Sequence, residues 1–186
     1  MRQITLNYII LFLALICNGL GCYFTVRKNI FRYGLVLIIS LMISSCLCLI
    51  FYMMDFYRFV LPLPLVLPVV AISFSFLALF IIRFRPKRRT FPFFFMTLTL
   101  VFSIEVLLKD FAGFIRFKNG WDYWDSYSLY WVYIRLFDHI GEFFVPMHYR
   151  NPISSETKKY WISFLLVIIY TGLGIYTLYQ GCTRIF

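Results

Sequence analysis

Long apolar segments alternate with shorter polar ones along the whole chain. Six apolar segments of 18 to 24 residues stand out, and a helix needs about 20 such residues to cross about 30 Å of hydrocarbon. The pattern therefore predicts an all-α fold, a bundle of six membrane-spanning helices that forms one integral membrane domain over residues 1–186. The predicted spans are residues 4–26, 33–54, 59–82, 91–108, 127–145 and 160–179.

The fifth segment is the most polar of the six. It contains two acids, one Arg and one His, and each charge near the middle of a spanning helix costs about 2.5–3.5 kcal/mol. Two topologies are therefore open: six spans, or five spans with one interfacial helix. Six spans with both termini outside place eleven Lys and Arg residues in the inner loops and six in the outer ones. We expect six spans, because positive charge accumulates on the inner side.

Two features inside the spans predict how the helices pack. Ser40, Ser44 and Cys48 recur every four residues on span two, and a stripe of small residues lets helix backbones approach closely. Aromatic residues crowd the start of span five and indicate a belt at the outer interface of the membrane. The residues of this predicted belt are Trp121, Tyr123, Trp124, Tyr127, Tyr130 and Trp131.

The composition supports a membrane protein and excludes other classes. Hydrophobic residues make up 62% of the chain and charged residues 14%, which argues against disorder, a fibrous repeat or almost any soluble enzyme. The net charge is +10, but the bases lie in short runs between apolar segments, so we expect no nucleic-acid partner. Bases next to a span gain roughly 1 kcal/mol each beside anionic headgroups. Lipid-headgroup contact is predicted for the densest run, Arg83, Arg85, Lys87, Arg88 and Arg89.

Four charged or titratable side chains share one face of span five. Arg135, Asp138, His139 and Glu142 fall within an arc of roughly 100° on a helix. Such a face has to point at the bundle interior, a water-filled cavity or the membrane surface. We expect Arg135 to pair with Asp138, and His139 with Glu142, at the i,i+3 spacing. Glu105 on span four would differ from Arg135 in depth by roughly 6 Å, so we also predict an ion pair between these two.

Three interpretations of this polar cluster are open. The charges neutralise one another and set the helix register, or they form a proton path in which His139 titrates near neutral pH. Alternatively, Asp138, His139 and Glu142 bind a metal ion as a facial triad. Their order differs from that of the Glu-x-x-His boxes of helical bundles, so we expect neither a metal nor a cofactor. The motifs HExxH, GxSxG, GxGxxG and the P-loop are absent, so no catalytic residue is assigned.

Several residues around the fifth span recur in a recognisable order. They are an acid near the end of span four, a group of aromatic residues in the next loop, and a span with an Arg and a closing aromatic pair. The matching residues are Glu105, Trp121, Tyr123, Trp124, Arg135, Phe143 and Phe144. This pattern resembles a family of uncharacterised small multi-pass membrane proteins of endospore-forming Gram-positive bacteria. The similarity covers about 40 of the 186 residues, and Asp138, His139, Glu142 and the final span depart from it. The resemblance implies a bacterial cytoplasmic membrane and no particular activity.

Three hypotheses about function follow. The first is a non-enzymatic membrane protein that acts through helix contacts with a membrane partner, a second copy of itself or the lipid bilayer. The second is a proton-linked transporter or channel subunit that uses the polar face of span five. The third is an intramembrane enzyme. We favour the first, because no motif of a known enzyme is present.

Overall fold

The structure is a computed structural model that describes residues 2–183, with the side chains of residues 4–174. In this part of the chain, six α-helices and two short strands account for most residues, so the predicted all-α fold is confirmed. The predicted outer position of both termini concerns Met1 and residues 184–186, which lie outside the described residues. The helices are α1 (Arg2–Val26), α2 (Ile30–Met53), α3 (Leu63–Phe84), α4 (Thr90–Val106), α5 (Tyr123–Phe144) and α6 (Lys158–Thr183).

Four of the helices within the described residues are long and apolar enough to cross a membrane. They overlap the first four predicted spans and comprise Ile4–Val26, Ile30–Met53, Leu63–Phe84 and Thr90–Phe111. The last of these joins α4 to a π-helical turn, Leu107–Phe111. The protein is therefore integral to a membrane. α5 is long enough but carries more charge than such a helix usually does, and α6 extends beyond the described side chains. The fifth and sixth spans stay predictions.

The central helix of the bundle is α3, which packs against α1, α2 and α5. The small-residue stripe of α2 is buried and faces this centre. Ser44 Oγ lies 3.5 Å from the carbonyl oxygen of Ala71, and Ser40 Oγ lies 2.7 Å from the hydroxyl of Tyr133 on α5. The predicted close approach of α2 to its neighbours is confirmed, because only small side chains leave room for such contacts.

A short antiparallel strand pair lies at one end of the bundle. β1 (Tyr57–Phe59) pairs with β2 (Ile115–Phe117), and the pair joins the α2–α3 connection to the α4–α5 connection. The predicted start of span three at residue 59 is therefore wrong, because Phe59 belongs to β1 and α3 begins at Leu63. Pro62 explains the boundary, since proline is tolerated at the start of a helix but cannot donate a hydrogen bond within it.

α5 extends alongside the bundle from one end to the other. Asp122 caps its N-terminus, and Ser126 in its second turn lies 3.1 Å from Glu105 at the C-terminal end of α4. At the opposite end, Asp138 contacts Arg85 at the C-terminal end of α3, with 2.5 Å between Oδ1 and Nη1. α5 is therefore antiparallel to α4, parallel to α3, and spans the same height of the bundle.

The connection between α5 and α6 folds back onto the ends of α3 and α5. Arg150 is buried and donates hydrogen bonds to the carbonyl oxygens of Gly141 at 2.6 Å and Val145 at 2.8 Å. The bond to Val145 satisfies a carbonyl group at the end of α5, and the Gly141 carbonyl oxygen also accepts a bond from the backbone N–H of Val145 at 2.9 Å. Burial lowers the pKa of Arg150, but a guanidinium stays protonated in proteins, and its charge favours a helix C-terminus.

Candidate functional site

The charged residues of α5 form an ion cluster with the base that directly follows α3. We call Arg85, Arg135, Asp138 and Glu142 the Arg85 cluster. Arg85 Nη1 lies 2.5 Å from Asp138 Oδ1 and 2.6 Å from Glu142 Oε1, and Arg135 Nη1 lies 3.1 Å from Asp138 Oδ2. The Asp138 side chain is only 4% exposed. The predicted pair of Arg135 and Asp138 is confirmed, whereas the role of Arg85 in the cluster was not predicted.

Arg85 differs from the other bases of the run for which headgroup contact was predicted. Its side chain is 17% exposed and its guanidinium is held by the two carboxylates of α5. Arg83 donates a hydrogen bond to a backbone carbonyl of α1, while Lys87, Arg88 and Arg89 are exposed. Headgroup contact stays a prediction, and its best candidates are the three exposed bases.

His139 lies apart from the buried part of the Arg85 cluster. Its side chain is 68% exposed, and its Nδ1 lies 4.0 Å from Glu142 Oε2. Adjacent residues of a helix differ by about 100° in direction, so Asp138 points inward while His139 points outward. Among the residues that the structure describes, no group of three or more His, Cys, Asp or Glu side chains lies close enough to hold a metal ion. The proton path along this face stays a prediction.

The predicted ion pair between Glu105 and Arg135 is wrong. Glu105 accepts a hydrogen bond from Ser126 at 3.1 Å, and Arg135 pairs with Asp138 instead. Arg135 lies nine residues beyond Ser126, which places it roughly 13 Å further along the helix axis. The error arose because α5 begins at Tyr123, four residues before the predicted span, so its register against α4 is shifted.

Glu105 instead belongs to a buried network of hydroxyl groups near the strand pair. The hydroxyl of Tyr57 donates to Glu105 Oε1 at 2.8 Å and lies 2.6 Å from Ser126 Oγ, which accepts a bond from Trp121 Nε1 at 2.9 Å. Burial and the nearby Glu105 carboxylate raise the pKa of Tyr57, so its hydroxyl keeps its proton. Glu105 is 4% exposed, and its Oε2 is buried without a hydrogen-bond partner among the described residues. Tyr130 approaches the same carboxylate.

A cavity of about 410 Å³ lies between the helices beside this network. Residues of α1 to α5 and of both strands line it, and most of them are apolar. It extends along α3 from Val66 to Phe80, which corresponds to roughly 21 Å of helix. Glu105 lies at one end of it, and a hydrogen-bonded pair, Asn18 and Ser73, also contributes to its wall. The volume lies within the range of about 300–1,000 Å³ that is typical of small-molecule sites.

The cavity reaches the side of the bundle between α1 and α4. Both helices line it, yet they do not pack extensively against each other. Leu100 and Ile104 of α4 line the cavity although their side chains are exposed, so they border the opening. α1 and α4 are two of the four helices apolar enough to cross a membrane.

Most residues of this site escaped the reasoning from sequence. Trp121 and Tyr130 were predicted to lie in an interfacial aromatic belt, but Tyr130 is buried and the Trp121 ring packs 5.0 Å from that of Phe51. Tyr57 lies outside every predicted span. The signal in the sequence was Glu105 itself, because an acid in an apolar span needs a partner. The partners come from distant segments whose relative positions only folding defines.

Comparison with known proteins adds no assignment to this geometry. No protein-family model, curated protein or solved structure matches the chain. The resemblance to a bacterial membrane family therefore stays a prediction, and the function has to be argued from the cavity and the residues around it.

Proposed function

We propose that the protein is a non-enzymatic, polytopic membrane protein that binds a single-chain apolar molecule from the bilayer in the cavity between its helices. The observation that carries this proposal is the cavity of about 410 Å³ with its opening between α1 and α4. The volume and the mostly apolar lining suit a small apolar molecule.

The proposed topology has six spans with both termini outside, in the bacterial cytoplasmic membrane that the sequence resemblance implies. α5 supports a fifth crossing because it covers the same height as α3. Asp138, the most buried charge of this helix, is shielded by two guanidinium groups. His139 and Glu142 are exposed, but they lie in the last two turns of the helix, close to the inner headgroup layer.

The geometry favours binding over a proton path along α5. Both carboxylates of the Arg85 cluster are neutralised by bases, and the cluster lies at the opposite end of the bundle from Glu105. A transporter, a channel subunit and an intramembrane enzyme stay alternatives without a specific observation in their favour. Contacts with a partner protein or a second copy also stay predictions.

Photo-crosslinking tests the proposal directly. A twelve-carbon alkyl probe with a terminal diazirine is added to liposomes that contain the full chain, and the labelled peptides are identified by mass spectrometry. We expect labels on the cavity-facing residues of α1, α3 and α4. Ala14 lines the cavity, so Ala14→Phe should block labelling by filling the space.

The matched control is Cys17→Phe, which adds the same ring to an exposed position of the same helix. This variant should label like the wild-type protein. Labelling that Ala14→Phe leaves unchanged, or that is confined to the exposed faces of the helices, would refute binding in the cavity.

A further inference from the structure

We infer that the molecule in the cavity carries a head group that donates a hydrogen bond and bears no negative charge, such as an amine or a hydroxyl, and that this head group binds Glu105. The inference rests on the proposed function and adds the chemical class of the ligand. Three features of the site support it: an acceptor atom without a partner, a carboxylate without a cation, and a cavity that begins at this carboxylate.

The first feature is the arrangement of the two carboxylate oxygens of Glu105. Oε1 accepts hydrogen bonds from Tyr57 and Ser126. Oε2 is buried and has no partner with full hydrogen-bond geometry among the described residues, although the Tyr130 hydroxyl lies beside the same carboxylate. Glu105 is 96% buried, as its 4% exposure shows, and it lines the cavity. A buried acceptor without a donor is unfavourable, so a donor on the ligand would complete the site.

The second feature is the absence of a base beside Glu105. Within the described part of the chain, Glu105 takes part in no ion pair. Lys109 lies one turn further along the chain, but its Nζ contacts Asp110 at 3.1 Å and the Tyr123 hydroxyl at 2.7 Å. Buried charges in proteins are normally paired. An ammonium head would supply that partner and a hydroxyl would supply a neutral donor, while a carboxylate or phosphate head would meet a like charge.

The third feature is the size and orientation of the cavity. A cavity of about 150 Å³ accommodates benzene with its six carbon atoms, so 410 Å³ corresponds to roughly 16 non-hydrogen atoms on the same scale. One head group and an alkyl chain of about 12 to 14 carbons match this number. With the head at Glu105, the chain would extend along α3 toward Phe80, which lines the far end. A transmembrane helix of a partner is far wider than this space.

Competition between four ligands of equal chain length tests the inference. The crosslinking assay is repeated separately with dodecylamine, 1-dodecanol, dodecanoate and dodecane. The pH is about 8, at which the carboxyl group of free dodecanoate is ionised. We expect the amine and the alcohol to displace the probe at concentrations about tenfold or more below those needed for dodecane, since charged and neutral donors both strengthen binding. Dodecanoate should compete no better than dodecane.

The variant Glu105→Gln tests the residue. It keeps an acceptor but removes the negative charge and adds a donor, so the advantage of the amine should fall about tenfold and dodecanoate should begin to compete. Glu156→Gln changes an exposed Glu in the α5–α6 connection and should behave like the wild type. Gel filtration establishes whether each variant is folded. If Glu105→Gln does not fold, the order in which the four ligands compete on the wild-type protein tests the inference instead.

The outcomes separate this inference from the proposed function. Equal competition by all four ligands, or strongest competition by dodecanoate, would overturn the inference and leave binding in the cavity intact. Wild-type selectivity in a folded Glu105→Gln variant would also overturn it. If no ligand competes and Ala14→Phe labels normally, the proposed function fails as well. The probe would then have labelled the outer surface of the helices, which contacts lipid or a partner helix.

Discussion

Replacing Asp138 by Asn is expected to destabilise the protein by about 3 kcal/mol. Asp138 is 4% exposed and accepts hydrogen bonds from Arg85 at 2.5 Å and from Arg135 at 3.1 Å. A hydrogen bond to a charged group contributes about 1.5–3 kcal/mol, and removing one partner of a buried ion pair costs about 3–5 kcal/mol. Asn keeps the volume and one acceptor, and Glu142 still holds Arg85, so we expect the lower end of that range.

Equilibrium unfolding in mixed micelles of a mild detergent and dodecyl sulfate measures this change. Glu142→Gln is the matched control, because Glu142 binds the same guanidinium but is 51% exposed. Exposed pairs contribute about 0–1 kcal/mol, so this variant should lose less than about 1 kcal/mol. The double variant Arg85→Met, Asp138→Leu removes both charges, and it should be more stable than the sum of its single changes predicts, because neither charge is left buried alone.

Two results would refute this account of the Arg85 cluster. The first is equal stability of Asp138→Asn and Glu142→Gln, which would mean that burial does not distinguish the two carboxylates. The second is strict additivity in the double variant, which would mean that the two side chains do not interact in the membrane-embedded protein. Either result would also weaken the case for α5 as a spanning helix, because its deepest charge would lack a shield.

Two further predictions concern the packing and the crossing of α5. A Cβ atom at Gly141 would lie 2.5 Å from Cγ1 of the buried Ile82, so Gly141→Ala should destabilise the protein by about 1–3 kcal/mol in the same unfolding assay. Gly19→Ala is the control, because a Cβ there meets no atom within 4 Å, and it should be neutral or stabilising by up to about 1 kcal/mol. Equal losses of stability in the two variants would contradict close packing of α3 against α5. Reporter fusions after Lys118 and after Glu156 should lie on opposite sides of the membrane, and a shared side would show that α5 does not cross.

Hydropathy alone predicted the number and the approximate bounds of the helices. The predicted first span ends at the same residue as α1, Val26, and the predicted second and fourth spans begin within three residues of α2 and α4. The small-residue stripe of α2 correctly indicated a close helix contact. These predictions succeed because the length of an apolar segment and the spacing of small residues are local properties. Both can be read directly from neighbouring positions in the sequence. The same reasoning recognised that Asp138 and Glu105 need shielding from lipid.

The partners of these charges were decided by tertiary structure. Asp138 pairs with Arg85 at the C-terminal end of α3, and Glu105 is level with Ser126 rather than with Arg135. Both outcomes depend on how far each helix is shifted and rotated against its neighbours, and a shift of four residues moves a side chain by about 6 Å. The cavity has the same origin, because it arises where α1 and α4 fail to close against each other. Such gaps and registers result from the packing of segments that are distant in the chain, and no local pattern of residues specifies them.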